Sequence, residues 1–343
     1  MIKVDIISGF LGAGKTTFIK ALIEKVFRGE KIVLIENEFG EIGIDSRFMQ
    51  NCGIEVTEMN SGCICCTLVG DFAEALKKVA AEFEPDRIII EPSGVGKLSD
   101  VAAAVAEIQE SAGMELDGKI TVVDGKKVKM YMKNFGEFYN DQIEHAGTIV
   151  VSRTQMMDED RLSECMHLIR EKNEHAAVIT TPWDQLSGEI IQSALDAHDH
   201  DHHEDHHHGH EHHHHDHHDH HHEHHHEHAH HDHHHHHDHD HDHHDHHDHH
   251  HADEIFSSWG IETVHRFDRN ELADALKLMG MSDSFGTVLR AKGIVEGADG
   301  QWMEFDMVPE ETEIRDCEPD YTGRICVIGT DLNTADLEKV FGK

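Results

Sequence analysis

The run Gly9-Phe10-Leu11-Gly12-Ala13-Gly14-Lys15-Thr16-Thr17 comes directly after the apolar segment Ile2-Lys3-Val4-Asp5-Ile6-Ile7. A strand feeding G-x-x-x-x-G-K-[ST] and then a helical period (Phe18, Ile19, Leu22, Ile23, Val26) leaves few folds open, because that junction is a phosphate-binding loop. Gly9, Gly12, Ala13 and Gly14 let backbone N–H groups turn inward around phosphates. Lys15 reaches the β- and γ-phosphates, and the Thr16 hydroxyl is placed to ligate Mg²⁺. The helix opening at Lys15 and running through Thr17 adds its N-terminal dipole.

Downstream of that helix the chain repeats a strand–helix rhythm. Lys31 to Ile35 reads as a second buried strand and delivers the acidic stretch Glu36 to Asp45, with Glu36, Glu38 and Glu41, at the edge where open α/β sheets bind ligands. Gly53 to Met59 alternates as a strand, and Leu68 to Phe83 has helical period through Phe72, Ala75, Leu76 and Val79. Between them stand Cys63, Cys65 and Cys66, three of the seven cysteines within four positions. A helix N-terminus favours the thiolates that bind metal. Three thiolates leave a tetrahedral ion one ligand short, which suits an exchangeable metal, and Cys52 or one of Glu36, Glu38 and Glu41 would complete the shell. Asp86 to Glu91 is a third core strand ending in Glu91-Pro92-Ser93-Gly94, where nucleotide hydrolases sense Mg²⁺ and the γ-phosphate.

Val101 to Ile108 and Val128 to Ile143 then read as helices, Ile120 to Val123 and Thr148 to Val151 as strands, Glu159 to Lys172 as a helix and Ala177 to Thr181 as a last strand. The expected fold is therefore α/β: a P-loop NTPase domain whose mostly parallel sheet is covered on both faces by helices, over residues 1–195.

From His198 to His251 the chain holds 37 of its 41 histidines, 15 acids and no Lys or Arg. Such a segment cannot build a core, so residues 196–252 are expected to form a disordered metal-binding loop. Imidazole with carboxylate suits zinc, nickel, cobalt and copper, with affinity falling as pH drops through about 6.5. Residues 253–343 read as a small α+β C-terminal domain. Its expected strands are Glu262 to Phe267, Gly286 to Ile294, Gln301 to Val308 and Gly323 to Ile328, and its expected helices Arg269 to Met279 and Thr334 to Phe341. Cys317 and Cys326 read as structural, and His265 as a strand residue rather than a ligand.

A net charge of -39 excludes nucleic acid and anionic membrane as partners, since a phosphate surface needs a basic one to displace its counterions. The N-terminus runs straight into a strand and no apolar stretch has membrane-spanning length, so a cytoplasmic location is expected.

With these residues assembled, the chain resembles the CobW-type GTPases, metal-handling relatives of the hydrogenase and urease nickel-insertion GTPases. The resemblance rests on GFLGAGKTT, ENEFGEIGID, the GCICC turn, the EPSG acid and the histidine-rich insert, and in the closing domain on LRAKGIVEGADGQW and GRICVIGTDLNTADLEKVF. It implies GTP and Mg²⁺ at Lys15 and Thr16, a first switch at Glu36 to Asp45, and a transition metal (zinc, or cobalt or nickel) at Cys63, Cys65 and Cys66. Glu91 with Gly94 would stand for a second switch. It also implies transfer of the metal to a client metalloprotein; a metal- or nucleotide-dependent dimer is a separate expectation.

One departure stands out. Family members carry Asn-Lys-x-Asp where this chain has Ser152-Arg153-Thr154-Gln155. The Asp accepts two hydrogen bonds from guanine, whereas Gln155 offers one acceptor oxygen, so base selectivity is expected to weaken, with Arg153 stacking on the base. No arginine finger or water-orienting glutamine stands out, and slow intrinsic turnover is expected. Two other classes fit parts of the sequence: a non-catalytic metal store, and an ATP-dependent phosphotransferase on the same loop.

Overall fold

The computed structural model describes residues 1–36, 55–58, 69–183, 185–199 and 252–342. Seven strands form the first sheet: β1 (Ile2–Ser8), β2 (Ile32–Glu36), β3 (Glu55–Glu58), β4 (Arg87–Glu91), β5 (Met114–Asp124), β6 (Thr148–Ser152) and β7 (Ala177–Ile179). Their spatial order is β3-β2-β4-β1-β5-β6-β7, and every neighbouring pair is parallel. Strands buried on both faces need apolar residues at consecutive positions, which is why Ile88, Ile89 and Ile90 are all fully buried.

The two faces carry separate layers. Val4, Ile6, Val33, Ile35, Ile88 and Ile90 meet α2 (Val69–Phe83), α3 (Leu98–Ala112), α4 (Val128–Asn134), α5 (Gly136–Glu144) and α6 (Glu159–Lys172). Ile7, Leu34, Ile89 and Val122 meet α1 (Lys15–Lys25) and α7 (Gly188–Asp199). Because successive strand residues alternate faces, Glu36 and Glu91, each one residue beyond an isoleucine of the first layer, fall on the α1 side.

Several elements differ from their sequence expectation. The helix expected over Val128 to Ile143 is two helices, broken at Phe135 (φ -133°, ψ 31°), whose ring stacks on Phe10 at 5.3 Å and lies 5.8 Å from Phe256. Packing of one aromatic overrides a continuous helical period there. β7 stops at Ile179, shortly before Pro182, which lacks the N–H needed to extend the ladder. α7 has no counterpart in the sequence expectation: Ile191, Ala194 and Leu195 bury one face of a helix that runs to Asp199, past the boundary at residue 195. Residues 200–251 lie outside the described residues, and the chain resumes with the short helix α8 (Ala252–Ile255).

The second sheet comprises β8 (Ser257–Thr263), β9 (Thr287–Glu296), β10 (Trp302–Val308), β11 (Glu311–Asp316) and β12 (Gly323–Thr330), ordered β11-β10-β9-β12-β8 and antiparallel throughout. One face (Ala291, Val295, Met303, Phe305, Met307, Ile325) packs on α9 (Arg269–Met281) and α10 (Thr334–Phe341). From the other face Ile294, Cys326 and Ile328 join the core of the first sheet's outer layer, so the two sheets share a continuous apolar interior. β8 ends at Thr263, before the expected strand is half complete: Thr263 Oγ1 accepts the His265 N–H at 3.1 Å and turns the chain, leaving Val264 92 % exposed. His265 instead sets its ring edge-on to Phe267 at 4.6 Å. β11, with the sequence Glu-Thr-Glu-Ile-Arg-Asp, likewise has no counterpart among the expected strands. Among the described residues no helix is long and apolar enough to cross a membrane.

Candidate nucleotide and metal site

The loop between β1 and α1 is anchored from below and pressed from two sides. Phe10, 1 % exposed, sits among Tyr131 (4.6 Å), Phe135 and Tyr139 (5.7 Å), so the loop's first turn is fixed by an aromatic cluster of about 0.5–1.5 kcal/mol per ring pair beyond burial. Gly12, at φ 69°, adopts a left-handed backbone that side chains disfavour, and a Cβ there would stand 2.4 Å from Val308 Cγ1 of β10. Gly14, at φ 103°, is covered on its other side by the Trp183 indole, 2.9 Å from the place of a Cβ. Ala13 is buried and Thr17 exposed.

Lys15 is 6 % exposed and its Nζ donates to the Gly9 carbonyl at 3.0 Å. The same ammonium lies 3.9 Å from Glu91 Oε1, toward which the Thr16 hydroxyl points at 3.5 Å. Lys15, Thr16 and Glu91 thus converge although 75 residues separate the last two in sequence. The parallel register sets Glu36 beside Glu91, and Glu58 beside Glu36, so three acids line up across the carboxyl ends of β3, β2 and β4. Glu36, 4 % exposed, closes β2 as its last strand residue instead of opening the acidic loop. Gly94 approaches the loop as well: a Cβ there would meet the Leu11 backbone nitrogen at 3.0 Å. Its carbonyl accepts from buried Gln142, which also bonds the Gly96 carbonyl at 2.8 Å and pins the segment after Glu91.

Ser152 ends β6 buried, its hydroxyl donating to the Val123 carbonyl at 3.2 Å. Arg153 adopts φ 60°, ψ 21°, a conformation that costs a non-glycine residue about 1–2 kcal/mol. Its guanidinium crosses to the phosphate loop instead of lying open for a base: it donates to the Gly12 carbonyl (3.0 Å), to Asp124 Oδ2 (3.1 Å) and to Glu311 Oε2 of β11 (2.7 Å). Burial raises the Asp124 carboxyl above its ordinary range, against the pull of Arg153, and lowers the Lys127 ammonium, whose Nζ donates to the Pro309 carbonyl at 2.9 Å. Gln155 lies exposed on a single 3₁₀ turn, Thr154–Met156.

These groups surround a cavity of about 220 Å³. Gly12, Lys15, Thr16, Glu91 and Arg153 form one wall, and the opposite wall is the face of the second sheet turned toward the first, with Arg290, Glu304, Asp306, Glu311 and Arg315. Sequence reasoning missed that wall, along with Asp124, Lys127 and Gln142. The only sequence signal was the paired spacing of charges at Glu304/Asp306 and Glu311/Glu313/Arg315, which reads equally as solvated strand faces.

The expected thiol ligands Cys63, Cys65 and Cys66, with Cys52, Glu38 and Glu41, lie outside the described residues, as does the tract from residue 200 to 251. Among the described residues no cluster of three or more metal-binding side chains is preformed. Cys165 is not a candidate, because burial pushes its thiol up to about 12 and keeps it protonated. Cys326 is buried in the shared core and Cys317 packs against it.

Comparison with known proteins places these features. Residues 3–180 match the CobW/HypB/UreG nucleotide-binding domain, and residues 256–343 match the cobalamin synthesis protein CobW C-terminal domain. Among curated proteins, the chain is 34 % identical over 185 residues to the zinc chaperone CobW of Sinorhizobium sp, covering 46 % of this chain and 52 % of that one. It is 28 % identical over 211 residues to the zinc-regulated GTPase metalloprotein activator 1 of Schizosaccharomyces pombe, covering 59 % and 51 %. The chain spans about half the length of these curated relatives. Among solved structures, the Zn(II)-bound YjiA GTPase from E. coli aligns over 99 % of this chain and 98 % of its own at 20 % identity and a TM-score of 0.41. The chain belongs to the CobW/HypB/UreG family of nucleotide-binding proteins and carries that family's CobW C-terminal domain.

Proposed function

We propose that this chain is a GTP-hydrolysing metallochaperone that takes a transition metal, zinc in the first place, at Cys63-x-Cys65-Cys66 and passes it to a client metalloprotein. The observation that carries the reading is the convergence of Lys15, Thr16 and Glu91 with Glu36 registered beside Glu91. Glu91, the acid read as nucleotide-sensing, and Glu36, the acid that closes β2, occupy adjacent strand ends. A change at the γ-phosphate is proposed to pass from Glu91 to Glu36 and on to the metal side. The names of the relatives, zinc chaperone and zinc-regulated GTPase metalloprotein activator, support the same reading.

The hydroxyl of Thr16 and the carboxylate of Glu91 are hard oxygen donors 3.5 Å apart, a donor set that fits Mg²⁺. Mg²⁺ bound there supplies charge neutralisation for the β- and γ-phosphates. Lys15, held back on the Gly9 carbonyl, exchanges that acceptor for phosphate oxygens when nucleotide enters. By linkage, metal cargo and nucleotide change each other's affinity by one factor. The histidine tract acts as a collector that raises local metal concentration.

Phosphate release by the full chain from GTP and from ATP, across a zinc titration and again in Cys65→Ala, tests this. GTP turnover that responds to zinc in the parent and not in Cys65→Ala supports the proposal. Turnover indifferent to zinc, or carried by ATP alone, contradicts it.

A further inference from the structure

The first domain alone brings Lys15 and Lys20 to the cavity as cations, and Arg153 is committed to Gly12, Asp124 and Glu311. The second sheet faces the same cavity with two arginines, Arg290 and Arg315. Strand register tells them apart. Val308, the residue pressed against Gly12, ends β10, and its neighbour Met307 pairs with Ala291 of β9. Arg290 is therefore next to the contact with the phosphate loop. Arg315 pairs with Glu304, four residues back along β10, about 13 Å from that contact at the rise of a strand.

Arg290 is also the more enclosed, with 16 % of its side chain exposed against 40 % for Arg315. Its guanidinium is presented as a fork: Nε and Nη2 donate to the two oxygens of Asp306 at 3.2 and 2.6 Å. A planar group clamped this way is oriented before a ligand arrives, and it matches phosphate oxygens as it matches a carboxylate. The wall carries more carboxylate than cation, so Asp306 and the entering phosphates compete for the same fork.

From this we infer that Arg290 is a catalytic residue supplied by the C-terminal domain, contacting the γ-phosphoryl group of bound nucleoside triphosphate during hydrolysis. The inference rests on the GTPase reading above. In the step itself, water oxygen forms a bond to the γ-phosphorus as the bond from that phosphorus to the β–γ bridging oxygen breaks. The electron pair leaves on the diphosphate, and the water proton passes to the phosphate product. Arg290 turns from Asp306 toward the equatorial γ-oxygens, where charge is spread in the transition state. The nucleotide site is complete only when the second sheet is docked through Val308 against Gly12.

The experiment compares the full chain with Arg290→Gln and Asp306→Asn, measuring kcat for GTP, affinity for a fluorescent GDP, and affinity for GDP with aluminium fluoride. In Arg290→Gln, kcat falls at least about tenfold and the gain in affinity from aluminium fluoride is lost, while GDP affinity stays within about threefold. In Asp306→Asn, kcat rises because the competing carboxylate is gone. If both variants lose kcat and GDP affinity together, Arg290 and Asp306 are merely a structural pair and the inference is overturned. Unchanged kcat in Arg290→Gln overturns it as well. Should Arg290→Gln fail to fold, Arg290→Lys keeps the charge and loses the fork, and a retained aluminium fluoride response there overturns it. A parent chain that neither hydrolyses GTP nor responds to aluminium fluoride defeats the GTPase reading itself, a result distinct from the failure of Arg290.

Discussion

At the carboxyl ends of the parallel sheet, the pocket is made of backbone: glycines in left-handed conformations, carbonyls, and short reaches from Lys15 and Thr16. Across from it, the antiparallel sheet presents a flat face of long charged side chains from β9, β10 and β11. The first surface is rigid, because its strands are buried on both faces and Phe10 ties the loop into an aromatic cluster. The second is held by ion pairs such as Arg290–Asp306 and Arg315–Glu304, partly open to water, and each contributes little to stability. On the reading proposed above, a phosphate chain would meet a preorganised cradle on one side and side chains that exchange partners at small cost on the other. That division suits the proposed coupling of nucleotide state to metal transfer.

Four changes break or sharpen that division. Removing the cradle's cation has the largest effect: Lys15→Ala lowers GTP turnover by at least about a hundredfold in a phosphate-release assay, with the thermal midpoint nearly unchanged. Val308→Asp places a carboxylate against Gly12 where the parent side chain is 5 % exposed. A loss of about 3 kcal/mol in denaturant unfolding is expected, together with weaker nucleotide binding. The Arg153–Glu311 link spans the sheets at 2.7 Å, but Glu311 is 48 % exposed. A double-mutant cycle of Arg153→Ala and Glu311→Ala on nucleotide affinity therefore reads a coupling of only about 0.5–1 kcal/mol.

The smallest effect lies away from the pocket, at Cys165. Burial holds its thiol up at about 12 against 9.0 in the ordinary range, so the folded chain keeps a proton that the unfolded chain releases. Its contribution to stability is fully present below pH 9 and is lost as pH rises from about 9 to 12. Cys165→Ala flattens that part of the stability–pH curve, measured by urea unfolding.

The contrast also explains what could be read from sequence. The bounds of α6 and α10, the opening of α1 and the core of β4 are visible because each carries its own period and its own terminus, such as Asp158 capping α6. The phosphate loop is legible because its glycines and Lys15 act locally. Glu91 is legible as the acid after an isoleucine run. Phe135 breaks a helix through contacts with Phe10 and Phe256, residues far away in the chain, so no local pattern announces the break. β11 escapes because its outward residues are the pocket wall: Glu311, Glu313 and Arg315 alternate with Thr312 and Ile314, and charge where a core strand would carry apolar residues reads as loop. Arg290 escapes for the same reason. A residue whose role is defined by another domain leaves no mark in its own neighbourhood.

The measurement that bears most directly on a pocket shared by two sheets is hydrogen exchange of the full chain, with and without a non-hydrolysable GTP analogue. The account predicts slowed exchange in peptides covering residues 302–316 of β10 and β11 together with residues 9–17 of the phosphate loop. Protection confined to residues 9–17 and 87–97, with 302–316 unchanged, would contradict it.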